Sequence, residues 1–186
     1  MTSTTYKRFT AFVIAMAFFF VVVQLIWEYS QGGVVNHHLL ARKDMPAISN
    51  GWGLIVMPIL AWLAVKGLSQ RVKHNDSETD EPTSIVIPKS AWFGFFGMLL
   101  YSAVQSTAFK LGLPQLTMYL AMGLLVVGLC LPIYRGECIL GHVVGASWTF
   151  GPVIPLIGMA VLASISMLAH FLFKPFIAKC FRPKSN

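Results

Sequence analysis

Charge is what this sequence has least of: Asp, Glu, Lys and Arg make up 11% of its 186 positions, against roughly 25% in an ordinary soluble domain. A soluble chain of this length must wrap its core in a polar surface, and too few charges are present to do it. Acids are scarcer than bases, 7 against 14. Cysteine occurs three times. The number is odd, Cys130 lies inside an apolar run, and its spacing to Cys138 fits no zinc or redox motif, which excludes a disulfide framework. Strict apolar–polar alternation over strand-length segments is missing, which argues against an outer-membrane barrel. No phosphate loop, nucleotide-binding fingerprint, nucleophile elbow or HExxH pattern occurs.

Apolar sequence is what the chain has in excess, 56% of all residues, gathered into windows of helix length. With so little polar surface, a bilayer must act as solvent. The expected fold is an all-α integral membrane protein, one multi-pass domain over residues 1–186, with lipid as its first partner. The surplus of bases implies no nucleic acid; in a membrane protein it reports orientation.

Spans are expected at about 9–27, 51–68, 91–109 and 113–132. The first follows Lys7 and Arg8 as a signal peptide would. Its apolar stretch is too long for one, however, and "EYSQGG" offers no small-x-small cleavage site, so a retained helix is expected. The apolar region 138–173 would measure about 54 Å as a single helix, well beyond a hydrocarbon core of about 30 Å. Gly151, Pro152 and Pro155 break it into a short piece, about 136–150, and a full-length one, about 153–173.

Whether the short piece crosses or re-enters decides between six spans and five plus a re-entrant segment. With every piece crossing, the inner side holds Lys7, Arg8, Lys66, Arg71, Lys73, Lys89, Arg135, Lys174, Lys179, Arg182 and Lys184, and the outer side only Arg42, Lys43 and Lys110. A re-entrant piece would move the four C-terminal bases outside and erase the asymmetry. The positive-inside rule therefore favours six spans with both termini cytoplasmic, in a bacterial inner membrane. Residues 29–50 become an outer interfacial loop. Residues 69–89, holding Asp76, Glu78, Asp80 and Glu81 with Pro82 and Pro88, become a mobile cytoplasmic loop.

With that loop set aside, the remaining acids are Glu28, Asp44 and Glu137. Glu28 and Asp44 share the outer side with His37, His38, Arg42 and Lys43, between the interfacial aromatics Trp27, Tyr29 and Trp52. The stretch "VVNHHLLARK" suits two turns of helix lying in the interface, Val35 and Leu39 toward lipid tails and Arg42 toward phosphate. His37, His38, Asp44 and Glu28 are candidate ligands for a divalent metal such as zinc, though adjacent histidines diverge by about 100° on a helix. Their imidazoles are also suited to proton exchange. In the third span Ser102, Gln105 and Ser106 share a face, at the depth of Gln24 in the first, and a polar stripe there should face helices or water. Arg135 and Glu137 are expected to pair at the inner interface. His142 is an ionisable group at membrane depth, and Gly141 with Gly145 forms a GxxxG pattern for close helix approach, including dimerisation.

These residues support three functional classes. The first is a small protein binding or moving a solute or ion, past Glu28, His37, His38 and Asp44 into a cavity lined by Gln24, Ser102, Gln105 and Ser106, with Arg135, Glu137 and His142 toward the inner end. The broken helix at Gly151 resembles the discontinuous helices of transporters. The others are an embedded enzyme using a histidine–carboxylate or metal site on an apolar substrate, and a non-catalytic subunit of a larger membrane complex. The small size suits a homo-oligomer. The charge division yields a direct prediction: a cysteine placed in the C-terminal tail is expected to react with impermeant reagents only from the cytoplasmic side, and labelling from outside would overturn six crossings.

Overall fold

The computed structural model describes residues 3–38, 42, 44, 46–76 and 87–173. The chain folds as six helices with one small two-stranded ribbon: α1 (Ser3–Ser30), β1 (Asn36–His38), β2 (Ala47–Ser49), α2 (Gly53–Asp76), α3 (Lys89–Lys110), α4 (Pro114–Cys130), α5 (Gly136–Phe150) and α6 (Val153–Leu168). A 3₁₀ turn, Asn50–Trp52, leads into α2, and α6 loosens into a π turn over Ala169–Phe173. Three helical stretches, Tyr6–Ser30, Asn50–Val72 and Val153–Leu172, are long and apolar enough to cross a membrane, and Pro114–Cys130 is a shorter apolar helix. The break between α5 and α6 falls at Gly151, whose φ of 68° is left-handed and whose Cα faces the Asn50 side chain so closely that a Cβ would strike it.

Two expectations change. α2 runs on to Asp76, so 69–76 is helix where a loop was expected; Lys, Arg and Gln are good helix formers once clear of the apolar stretch. Residues 77–86 lie outside the described region, as do Lys174, Lys179, Arg182 and Lys184. The interfacial helix is not formed either: Asn36–His38 is extended and pairs antiparallel with Ala47–Ser49, His37 opposite Ile48. Pairing satisfies these backbone groups without the unfavourable nucleation of a two-turn helix. Leu39 and Lys43 lie outside the described residues.

Contacts at the helix ends fix the relative directions. Tyr6 OH and Ser69 Oγ lie 3.4 Å apart, while Val21 packs beside Gly53, so α1 and α2 are antiparallel. Gly94 faces Cys138 and Lys110 Nζ donates to the Trp148 carbonyl at 3.4 Å, so α3 and α5 run parallel. Tyr101 OH donates to the Leu120 carbonyl across α3 and α4, and Ser166 Oγ to the Leu131 carbonyl across α6 and the end of α4. Consecutive helices thus alternate in direction.

α5 sits at the centre. Leu140 and Val143 join Val21, Met57 and Ala61 in one apolar cluster between α1, α2 and α5. Cys138 joins Met98, Leu124, Ile133 and Met159 in a second. Close approach to α3 depends on the GxxxG pair: a Cβ on Gly141 would strike the Phe95 carbonyl, and one on Gly145 would strike Ser102 Oγ and the Leu99 carbonyl. The glycine face is therefore spent inside the chain and is not open for dimerisation. Gly141→Ala is expected to cost about 1–3 kcal/mol through overpacking against rigid backbone. Gly158→Ala, which meets nothing within 4 Å, should be neutral or stabilising. Denaturant or thermal unfolding midpoints in micelles distinguish the two.

Candidate functional site

At the end of the molecule where α1 and α5 finish, the ribbon and the 3₁₀ turn converge on Glu28. Its Oε1 accepts from Gln24 Nε2 at 3.0 Å and from Asn50 Nδ2 at 2.6 Å, and its Oε2 from the Val35 amide at 3.1 Å. Asn50 closes the loop by donating its own amide to the Val35 carbonyl at 3.0 Å. Sequence explains the placing: Gln24 and Glu28 are four apart on one helix face. Ser49 caps the 3₁₀ turn by accepting from the Gly51 amide at 3.2 Å, which leaves the Asn50 side chain to reach Glu28.

Gln24 is 2% exposed, and its Nε2 also donates to the Ser147 carbonyl at 2.9 Å. That carbonyl lies in the last turn of α5 and already accepts the Gly151 amide at 2.8 Å, so Gln24 supplies its second hydrogen bond. Gln24 and Lys110, on the carbonyls of Ser147 and Trp148, therefore tie the last turn of α5 to α1 and α3. Gln24 Oε1 is buried with no hydrogen-bond partner among the described residues.

These groups line a cavity of about 290 Å³ with His37, Trp27, Trp148, Thr149, Lys110 and Gln31. The two indoles lie 6.4 Å apart, tilted by 38°. Burial pushes the His37 imidazole below its ordinary value of 6.5, with the negative charge of Glu28 opposing in part. Neighbouring strand residues point to opposite faces, so His38 cannot share the His37 side of β1.

The other candidates lie elsewhere. Asp44 forms an exposed pair with Arg42 (Nη2–Oδ2 2.9 Å, Nε–Oδ1 3.1 Å), an arrangement worth little. Ser102, Gln105 and Ser106 do not line the cavity. Ser102 is buried where α3 meets α5 and donates to the Leu99 carbonyl at 3.2 Å, while Ser106 is buried with its Oγ unpartnered among the described residues. The polar stripe thus packs between helices. Glu137 does not pair with Arg135: Arg71 Nη2 donates to both its oxygens, at 2.6 and 2.5 Å. Glu137 occupies the first turn of α5, where its charge also suits the helix dipole, and the Arg135 carbonyl accepts the Cys138 amide at 2.9 Å. His142 is buried in α5, its Nδ1 unpartnered among the described residues. No three His, Cys, Asp or Glu side chains converge as a metal site among the described residues, and His37, His38, Asp44 and Glu28 do not meet.

Sequence reasoning missed Asn50 as a partner of Glu28, Arg71 as the partner of Glu137, and Lys110 and Trp148 as cavity residues. The signal for Arg71 was weak: a buried acid must find a base, but Arg71 is one of eleven bases assigned to that side. Comparison with protein-family models, curated proteins and solved structures yields no match.

Two predictions follow from Glu28. Glu28→Ala leaves three donors without an acceptor and is expected to cost about 1–3 kcal/mol, visible as faster amide exchange at Val35 and Asn50. The His37 imidazole should titrate below 6.5 in an NMR experiment and fall further in Glu28→Gln. Because only the unfolded chain binds the extra proton just below 6.5, stability around His37 should be intact above that pH and decline as pH falls toward the folded-state value.

Proposed function

We propose that this protein crosses the membrane six times with both termini cytoplasmic, and that it binds a small cationic solute or ion from the outer face in the cavity around Glu28, holding it there or passing it onward. One observation carries this reading. Glu28 is partly buried and gathers three neutral donors, yet among the described residues no Lys or Arg forms a salt bridge with it. A carboxylate so placed gains from a cation that reaches it. The faces of Trp27 and Trp148 add attraction for an organic ammonium. Alternating helix directions and the division of basic residues support the six crossings.

Beneath Gln24 the packing is dry: Val21, Met57, Ala61 and Val143 are all 0% exposed. The solute is therefore held at the outer end in this conformation, and onward passage requires α1 to part from α2 and α5. The exposed pairing of Asp44 and the divergence of His37 and His38 weigh against a metal-dependent enzyme.

Tryptophan fluorescence of the purified chain in nanodiscs, titrated with methylammonium, choline and sodium, tests the reading. At least one should give a saturable response. Glu28→Gln is expected to weaken it about ten- to hundredfold, the loss of one charge-assisted hydrogen bond. Asp44→Asn should leave it unchanged. No saturable response to any of the three, or equal affinity in Glu28→Gln, contradicts it.

A further inference from the structure

At the opposite end of the molecule α1 and α3 face each other across a groove of about 330 Å³ floored by α2 and α5. It runs along α1 from Phe9 to Phe20, about 16 Å at 1.5 Å per residue. Glu137 is the one polar side chain among the described residues that line it. An apolar wall cannot choose among lipids, because lipid tails are as apolar as the wall itself. Any selectivity must come from the mouth.

The mouth is basic. Lys7 and Arg8 directly precede Phe9, Lys89 lies between Ile87 and Ala91, and Arg71 follows Leu68 by three residues, so each of three lining helices brings a base to this end. Lys7, Arg8 and Lys89 are exposed. Among the described side chains the only acid here is Glu137, both of whose oxygens are taken by Arg71. Among the described side chains the charge left over is positive, beside a long apolar groove.

We propose that this groove is a binding site for an anionic phospholipid, one acyl chain lying along α1 and the phosphate headgroup at Lys7, Arg8 and Lys89. The site is separate from the solute cavity and requires only that the chain reside in a bilayer. Each base near an anionic lipid surface is worth about fivefold in affinity, so the three together give roughly a hundredfold preference over a zwitterionic lipid.

The test uses the full purified chain in phosphatidylcholine nanodiscs, into which phosphatidylglycerol or phosphatidylcholine with brominated acyl chains is titrated. Trp92 lines the groove, and its quenching is read as the difference between wild type and Trp92→Phe. Brominated phosphatidylglycerol should quench at a mole fraction at least roughly tenfold lower than brominated phosphatidylcholine. The combined variant Lys7→Gln, Arg8→Gln, Lys89→Gln should keep the quenching and lose the preference. Equal quenching by both lipids in the wild type overturns the proposal, since the groove is then ordinary lipid contact; so does a preference that survives the triple variant. If that variant fails to fold, wild type in about 0.5 M salt reads the same dependence by screening, and a preference that persists there overturns the proposal as well.

Discussion

The structure turns on the contact between α5 and α3. α5 has only 15 residues, about 22 Å of helix, and it is surrounded rather than exposed. Two glycines on one face let the α3 backbone come within van der Waals range, and the opposite side packs on α1 and α2. Without small residues there, α3 would stand off by a side chain and both apolar clusters would lose their shared wall. A helix so short leaves amides and carbonyls at its two termini to be met by neighbouring groups.

Both sites grow out of that difficulty. At the C-terminal end of α5, Gln24 and Lys110 donate to the carbonyls of Ser147 and Trp148. The same Gln24 also donates to Glu28, which ties in Asn50 and the ribbon. At the N-terminal end Glu137 sits in the first turn and draws in Arg71 from α2. Glu137 is buried while Arg71 keeps one side toward the surface. The two ends have different characters: one is a polar cavity between indoles, the other an apolar groove with a basic mouth. Tying α5 to α1 is a sound structural role for Gln24. It also holds a carboxylate at the edge of a cavity where, among the described residues, no Lys or Arg forms a salt bridge with it.

Much of the helical layout was legible, because long apolar windows and the Gly151–Pro152 break speak locally. Gln24, Glu28 and Glu137 were legible by inventory, since a chain with so few polar groups draws attention to each one inside it. What stayed hidden is long-range. The parallel contact of α3 with α5 bypasses α4, so nothing in the local pattern says that Ser102 packs against Gly145 instead of facing the cavity. The pairing of Asn36–His38 with Ala47–Ser49 overrode a helical periodicity that was real but too short to stand alone. Ser49 caps the turn before α2, and nothing local says that Asn50 beside it reaches Glu28.

The central claim is that Glu28 is open to the outer face through a cavity that takes a cationic solute. Right-side-out vesicles treated with an impermeant carbodiimide and a small amine, then mapped by mass spectrometry, test it directly. Labelling of Glu28 and Asp44 but not Glu137, with choline or methylammonium slowing reaction at Glu28 and not at Asp44, is the result expected. A Glu28 that stays unlabelled from outside, or reacts at the same rate with those cations present, would contradict the account.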